Sequence, residues 1–272
     1  MYAPVFLFLL SLAGSLAETP RKRDLVALAY VGREYRPYVK MTIQSYVNTR
    51  EKCPSDENID MLLVTDDIEL RSSYTKHIKV YALPQEALTK DEIEYMARFE
   101  TVNWPLIEEY GRLIQIGPDV VINNCLSPVF DMIEKPDTVY ACPVTSENVE
   151  MWNLQDFPQV AAPFNSGIMA FQLTGIMIEH MRVMSTWIQS ELDMDTPHHG
   201  DQAFVNVYAS QHTTVNTTGA ISNRTVMINP PPQHPEQRVM YDEAFIHFVS
   251  TPGDEINNTR AKYRHMHKHI NV

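Results

Sequence analysis

Short hydrophobic runs alternate with segments of helical periodicity along the first half of the chain. The runs Asp24–Tyr30 and Ile59–Thr65 are largely apolar, which predicts strands buried on both faces. His77–Tyr81 alternates between polar and apolar residues and predicts a strand nearer the edge of the sheet. A helix is predicted from about Tyr38 to Val47. This alternation predicts an α/β fold with a mainly parallel central sheet.

The region from Glu92 to Ile122 combines a predicted helix with the most informative strand. The helical pattern has a break at Pro105, which we expect to begin a new helix because proline disrupts a helix interior. The helix is predicted to end at Gly111, before a buried strand at Leu113–Ile116. Asp119 follows, and a second apolar run begins at once. An acid at the end of a strand is a candidate metal ligand.

The second half of the chain continues the pattern without an internal repeat. The predicted elements are a short helix at Ser127–Ile133, strands at Thr138–Cys142 and Gly167–Phe171, helices at Ile176–Leu192 and Phe204–Ala209, and a strand at Glu243–Val249. Methionines recur at helical spacing in the long helix and are predicted to fill the core. Glu147–Pro163 has little periodicity and is predicted to be a loop over a cleft. Asn229–Pro232 is predicted to be a stiff surface linker.

Composition excludes some classes of protein. The chain has 272 residues, of which 44% are hydrophobic and 21% charged, so it suits one large or two small globular domains. Its formal net charge is -12 and its pI is about 5.2. Because an acidic surface repels a phosphate backbone, we expect no nucleic-acid partner.

The amino terminus has the pattern of a secretory signal peptide. Met1–Ala17 is almost entirely apolar and ends in small residues, although no Lys or Arg precedes its apolar core. The basic triplet Arg21–Arg23 follows it and is open to three interpretations: a processing site, a solvated linker, or the flank of a retained anchor. We predict a signal peptide at 1–17, a linker at 18–23, one domain at 24–250 and a basic tail at 251–272. A membrane is a partner only if the first segment is retained.

Sequons and cysteines are consistent with a secretory-pathway lumen or secretion. Asn216, Asn223 and Asn257 each begin an Asn-X-Thr triplet, the acceptor of N-glycosylation. Three cysteines, Cys53, Cys125 and Cys142, allow at most one disulfide within the chain and leave one thiol.

Five segments, taken in order, resemble the glycogenin-like family-8 glycosyltransferases, which have a GT-A fold. The segments are Leu25–Tyr35, Trp104–Val121, Phe164-Asn-Ser-Gly167, Gly200-Asp-Gln202 and Ile246-His-Phe248. Each match alone is weak, but their order and spacing are those of the family. The resemblance therefore implies the GT-A nucleotide-diphospho-sugar transferase fold and transfer of a hexose from a UDP-sugar with retention of configuration.

The resemblance implies a divalent cation, Mn²⁺ or Mg²⁺, that neutralises the departing diphosphate. The family pattern is Asp-any-Asp plus a distant histidine, and this chain has Gly117-Pro118-Asp119 and His247. The first acid is missing, so we expect a weakened metal site made by Asp119 and His247. The alternatives are a turn acid for Asp119 and a core histidine for His247.

The resemblance also assigns roles to the other matched positions. Asp201 and Gln202 would be catalytic, because a carboxylate near the anomeric carbon stabilises developing positive charge. The alternative for Asp201 is a helix N-cap. The matched substrate-binding residues are Asn165, Ser166 and Gly167 on an expected tight turn, with Ala29 and Tyr35 on the uridine side. Turn formation alone is the alternative for Asn165 and Ser166.

Several departures from the family favour a second hypothesis. Glu100 stands where the family usually has a basic residue. Arg98, two residues earlier, could substitute by reaching across, although helical periodicity places it on a different face. No Lys-Pro-Trp follows the histidine strand. His265, His267 and His269 alternate in the tail, which suggests weak metal binding or, as we expect, a solvated and disordered segment. The sequence thus predicts a glycosyltransferase acting on an unknown glycan, protein or small-molecule acceptor. The alternative is a non-catalytic sugar- or partner-binding relative.

Overall fold

The computed structural model of the chain describes residues 22–67, 69, 77–83, 97–144, 160–192, 200–228, 241–248 and 266. The predicted signal peptide, residues 147–159 of the predicted loop over a cleft, the linker at 229–232, the sequon at Asn257 and the tail histidines at 265, 267 and 269 lie outside these residues. In the described part of the chain, no helix is long and apolar enough to cross a bilayer.

Strands and helices alternate through most of the described chain. The strands are β1 (Arg23–Tyr30), β2 (Ile59–Thr65), β3 (Ile78–Ala82), β4 (Tyr110–Ile116), β5 (Val120–Ile122), β6 (Thr138–Pro143), β7 (Phe164–Gln172), β8 (Thr214–Asn216), β9 (Thr225–Ile228) and β10 (Phe245–Phe248). The α-helices are α1 (Arg36–Lys52), α2 (Ser127–Phe130), α3 (Gly175–Leu192) and α4 (Gly200–His212). Turns of 3₁₀ helix occupy Arg33–Tyr35, Pro54–Asn58, Phe99–Asn103, Ile107–Glu109 and Ser222–Arg224.

A seven-stranded sheet forms the centre of the molecule, in the order β3-β2-β1-β4-β7-β6-β8. Within it only β7 runs against the other six strands, since it is antiparallel to both β4 and β6. The predicted α/β fold with a mainly parallel sheet is confirmed, and β3 lies at the edge as predicted. Strand order reverses between β1 and β4, and ligands of open α/β sheets bind outside the carboxyl ends of strands at such a point. Because β7 is reversed, its amino end lies at this same edge, called here the carboxyl edge.

Two hydrophobic cores cover the two faces of the large sheet. Along β1, Leu25 and Ala27 belong to one core, and Val26 and Leu28 belong to the other. This alternation follows from the two-residue period of a strand. Burial of both faces explains why the central strands are nearly continuous apolar runs. The predicted role of the α3 methionines is confirmed, because Met177, Met181 and Met184 lie in the first core.

A second sheet of three strands, in the order β5-β10-β9, stands beside the carboxyl edge. The free edge of β5 is satisfied by hydroxyl groups of α1 rather than by a further strand. The Thr42 hydroxyl lies 2.8 Å from the Val120 carbonyl oxygen and 2.9 Å from that of Pro118. Ser45 Oγ accepts from Ile122 N at 2.9 Å. These bonds fix the segment that contains Asp119 against α1.

The predicted helix ending at Gly111 is wrong. Between residues 97 and 109 the structure has two short 3₁₀ turns instead of an α-helix. Strand β4 already begins at Tyr110, so Gly111 lies inside the strand. The Tyr110 hydroxyl donates to Asp60 on β2 at 2.8 Å, and its ring packs 5.6 Å from that of Trp104. Burial and this hydrogen bond raise the pKa of Tyr110. These tertiary contacts favour an extended Tyr110 over the helix that local periodicity predicts.

Cysteine pairing agrees with the expectation of one disulfide and one remaining thiol. Cys53, at the end of α1, is bonded to Cys125, just before α2. The nearby Asp56 carboxylate accepts hydrogen bonds from Leu126 N and Ser127 N, both at 2.9 Å. Cys142 is buried, and burial raises its thiol pKa to about 11, so this thiol is poorly suited to nucleophilic chemistry.

A third core joins helix α1 to the outer face of the small sheet. Its buried members are Tyr38, Met41, Val121, Ile228, Ile246, Phe248 and Met266. Met266 belongs to the basic tail, and its side chain is 0% exposed. The expectation of a solvated tail is therefore wrong at Met266, where apolar contact with the small sheet outweighs the polar composition of the neighbouring sequence.

Candidate active site

Strand pairing brings Asp119 and His247 together from distant parts of the sequence. His247 in β10 pairs with Val120 in β5, and Phe248 N donates to the Asp119 carbonyl oxygen at 3.1 Å. This register places the two side chains side by side, with His247 Nε2 3.5 Å from Asp119 Oδ1. The imidazole is almost fully buried, whereas the carboxylate is 22% exposed. The pair therefore faces a partly open site at the carboxyl edge.

The position of the missing acid lies directly beside this pair. Gly117 N donates to the Gly167 carbonyl oxygen at 2.8 Å, which ties the turn after β4 to β7. A Cβ atom at Gly117 would lie 2.9 Å from Asp119 Oδ1. Asp119 thus extends over the backbone of residue 117, so a side chain there would require the carboxylate to move.

The predicted tight turn at Asn165–Gly167 is wrong, because these residues lie inside β7. They form a bulge: Ala141 pairs with Met169, but the next residue, Cys142, pairs with Asn165. The residues between Asn165 and Met169 are thereby left out of the ladder with β6. Bulges bend a strand and redirect its groups, and they occur often beside active sites.

The bulge lets His247 lie against the backbone of β7. A Cβ atom at Gly167 would lie 2.7 Å from His247 Nε2, closer still to Cε1, and 2.8 Å from Asn165 Oδ1. Only a residue without a side chain leaves this space to the imidazole. Asn165 Oδ1 accepts from Gly167 N at 2.8 Å and so holds the glycine in place.

Helix α4 brings Asp201 and Gln202 to the same bulge. The helix begins at Gly200, so Asp201 lies in its first turn rather than at the capping position that was the alternative for this residue. Gln202 Oε1 accepts from Ser166 N at 3.2 Å. The buried Asn206 bonds to both backbone groups of Phe164, with its Oδ1 2.7 Å from the nitrogen and its Nδ2 2.8 Å from the carbonyl oxygen. This amide fixes α4 against the start of β7.

Arg98 lies at the centre of these contacts. Its Nη1 is 2.6 Å from the Ser166 carbonyl oxygen and 2.9 Å from Asp201 Oδ2. Arg98 therefore supplies a basic group to the site from a position two residues before Glu100, as the sequence left open, and it immediately precedes a 3₁₀ turn. Glu100 bonds locally to Asn103 Nδ2 at 2.9 Å. The guanidinium of Arg98 therefore reaches the site, whereas the Glu100 carboxylate bonds outside it.

Buried polar atoms without a hydrogen-bond partner are concentrated here. Among the described residues there are five such side-chain atoms, and two of them, Gln115 Oε1 and Gln202 Nε2, belong to this site. A third, Asp201 Oδ2, is balanced by its ion pair with Arg98, and Gln115 bonds through its Nε2 to the Arg98 carbonyl oxygen. Buried polar groups are rarely left unsatisfied, so we expect a polar ligand to meet the two amide atoms.

The two residues expected on the uridine side lie at the start of the chain's first crossover. Ala29 is one residue from the end of β1, at the carboxyl edge. Tyr35 ends the 3₁₀ turn before α1 and packs against the second and third cores. Arg36 holds the neighbouring loop through two bonds to Asp67, at 2.7 and 2.8 Å, which raise the pKa of its guanidinium.

The chemistry of Asp119 and His247 fits a divalent cation. Mn²⁺ accepts both carboxylate and imidazole ligands, and two neighbouring ligands of one ion lie about 3 Å apart. In the residues described, no group of three or more His, Cys, Asp or Glu side chains is placed to hold a metal. Two protein ligands leave most positions to water or to phosphate oxygens, as is usual for ions that bind with a substrate.

A family model decides the class of protein. The model described as "Glycosyl transferase family 8" matches residues 25–251. The chain belongs to glycosyl transferase family 8. This membership supports the predicted hexosyltransferase, and the region it covers contains each of the site residues described above. No curated protein sequence matches the chain.

Solved structures with the same fold are glycosyltransferases of distant sequence. The galactosyltransferase LgtC, in complex with donor and acceptor sugar analogs, is 13% identical and superposes with a TM-score of 0.59, covering 90% of this chain and 95% of LgtC. GlyE of Streptococcus pneumoniae TIGR4 is 12% identical with a TM-score of 0.54, over 90% of this chain and 60% of GlyE. The bifunctional glycosyltransferase WbbM is 12% identical with a TM-score of 0.57, over 93% of this chain and 50% of WbbM. This likeness confirms the predicted GT-A fold.

Two residues of this family-8 site were not identified from the sequence. Gln115 and Asn206 are buried polar side chains whose amides connect Arg98 and α4 to the strands. The sequence did contain a signal for each: Gln115 interrupts an otherwise apolar strand, and Asn206 lies on the apolar side of a helix. Such residues need a partner when buried and so indicate a specific contact.

Gly167→Ala should disrupt the site because the new methyl group collides with His247. We expect a loss of stability of about 1–3 kcal/mol and displacement of the imidazole from Asp119. Gly175→Ala is the matched control, because a Cβ there meets nothing within 4 Å. Thermal unfolding and the NMR shifts of the His247 ring test this. Equal behaviour of the two variants would contradict the contact between Gly167 and His247.

Proposed function

We propose that the protein transfers a hexose from a UDP-sugar to an acceptor with retention of configuration, as a glycogenin-like member of its family. The observation that carries this proposal is the approach of His247 Nε2 to within 3.5 Å of Asp119 Oδ1. Continuous contacts join this pair to the proposed catalytic residues: His247 packs on Gly167, and Ser166 bonds to Gln202. A metal ligand pair and a catalytic carboxylate thus share one site.

Asp119 and His247 would hold the cation, Mn²⁺ or Mg²⁺. When bound, the cation supplies positive charge that neutralises the diphosphate leaving group. Since Gly117 provides no second carboxylate, we expect weaker binding of the metal alone than of the metal together with UDP. The degenerate motif therefore makes cation and nucleotide binding strongly cooperative.

Asp201 would stabilise the positive charge that develops at the anomeric carbon. Its ion pair with Arg98 fixes the carboxylate in one orientation, and pre-organised charge needs no reorganisation during reaction. The unpartnered Gln202 Nε2 is positioned to donate to a sugar hydroxyl. Asn165 and Ser166 would complete the sugar site, and Ala29 and Tyr35 would contact the uridine.

A non-catalytic sugar- or partner-binding role is the second candidate. It is favoured by Gly117 in place of an acid and by the absence of Lys-Pro-Trp after the histidine strand. The unpartnered Gln115 Oε1 and Gln202 Nε2 support the enzyme, because Gln115 bonds to Arg98, the ion-pair partner of Asp201, and Gln202 follows Asp201 on α4. The acceptor is a glycan, a protein or a small molecule, and we expect Glu147–Pro163 to select it.

We also infer that the protein acts in the lumen of the secretory pathway or after secretion. The disulfide between Cys53 and Cys125 supports an oxidising compartment. Asn223 is exposed in the turn Ser222–Arg224, and Asn216 is half-buried with its Oδ1 3.1 Å from Thr218 N. Of these two sequons, Asn223 is therefore the more accessible to a glycan.

Calorimetric titration with UDP tests the donor site. We expect Mn²⁺ to strengthen UDP binding at least about tenfold, and expect Asp119→Ala and His247→Ala each to abolish this gain. Glu108→Ala, which removes an exposed acid outside the site, is the matched control. Absence of binding heat for UDP at high concentration, with and without Mn²⁺, would contradict the proposed function.

Enzymatic deglycosylation of secreted material tests the compartment. We expect increased electrophoretic mobility after treatment, and a smaller shift for Asn223→Gln than for the wild type because one exposed acceptor is lost. Asn48→Gln, which changes an asparagine outside any sequon, should behave as the wild type. An unshifted wild-type band would remove the support that the sequons give to a lumenal location.

A further inference from the structure

The third core contains one residue from beyond the region matched to the family. The match ends at residue 251, yet Met266 is fully buried in a core that also contains Ile246 and Phe248 of β10. Met266 is thus packed with the strand that carries His247. Because burial of an apolar side chain is favourable, a fully buried methionine is a specific attachment rather than a passing contact of a solvated residue.

The contact lies directly behind the proposed metal ligand. Successive residues of a strand point to opposite faces. Ile246 and Phe248 belong to the third core, whereas His247 between them points to the site, 3.5 Å from Asp119. Any loosening of Ile246 and Phe248 therefore moves His247 as well, since three successive residues of one strand cannot shift independently.

The same core also supports the other metal ligand. Val121 of β5, one residue after the Val120 that pairs with His247, lies in the third core, and so do Tyr38 and Met41 of α1. Met266 therefore packs where α1, β5 and β10 meet. These three elements set the separation between Asp119 and His247.

We infer that Met266 anchors the C-terminal segment to the small sheet and acts as a positioning residue for His247. The anchor stands on burial alone, and its effect on metal binding rests on the proposed function. Met266, which lies outside the family-matched region, is thereby part of the packing that supports the site.

Oxidation of the wild-type protein with hydrogen peroxide tests the anchor directly. Met266, 0% exposed, should resist oxidation in the native protein to the same extent as Met177, which is also 0% exposed in the first core. Both should oxidise after unfolding. Mass spectrometry of the peptides measures each site. Rapid oxidation of Met266 in the native protein would overturn the anchor, because a residue in a solvated tail has no protection.

Substitution tests the effect on His247. Met266→Ala should speed hydrogen exchange of the β10 amides and reduce the Mn²⁺-dependent gain in UDP affinity about tenfold. Met266→Leu conserves volume and should restore both. Met177 is equally buried but belongs to the first core, so Met177→Ala should lower the melting temperature without changing β10 exchange or the Mn²⁺-dependent gain.

The possible outcomes separate the two proposals. If Met266→Ala and Met177→Ala change β10 exchange equally, Met266 has only a general structural role and the inference fails. If the wild type shows no Mn²⁺-dependent binding of UDP, the proposed function fails, while oxidation and exchange still decide the anchor. If Met266→Ala does not fold, oxidation of the wild type decides whether Met266 is an anchor. Exchange of the β10 amides and UDP binding of Met266→Leu then test its effect on His247.

Discussion

Antiparallel pairing of β5 with β10 is the interaction on which the candidate site depends. It places His247 opposite Val120 and so beside Asp119. Each strand has only a few residues, and such a short pair is not stable by itself. Helix α1 supports the pair through hydroxyl groups on the free edge of β5 and through the third core on its outer face. Asp119 and His247 are therefore held side by side by α1 and the third core.

Close approach of backbone segments is the second constraint. Reversal of β7 within a parallel sheet brings its first residues to the carboxyl edge, and the bulge there presents Ser166 backbone groups to Gln202 and Arg98. Gly167 leaves room for the imidazole. Arg98 bonds to this bulge and pairs with Asp201, so one strand segment contacts both the Asp119–His247 pair and the Arg98–Asp201 pair.

The sheet and most of the site were predictable from the sequence, because burial on both faces produces apolar runs and the matched motifs occur in order. The structure places Asp119 and His247 3.5 Å apart, and their role as metal ligands stays a prediction. The missed features depend on tertiary contacts that local periodicity does not carry. Tyr110 is extended because its hydroxyl reaches Asp60, and Asn165–Gly167 lie in a bulge of β7 rather than in a tight turn. Met266 is buried although its neighbours in sequence are basic.

The central claim is that this assembly is a working donor site, and turnover of UDP-hexoses tests it most directly. Purified protein with Mn²⁺ should release UDP from at least one sugar of a panel, with the anomeric configuration of the product retained by ¹H NMR. Asp201→Asn should lower the rate about 100-fold or more, whereas Asp131→Asn, whose carboxylate is 60% exposed, should not. Binding of UDP with Mn²⁺ but no turnover of any sugar would contradict the claim and leave a binding protein.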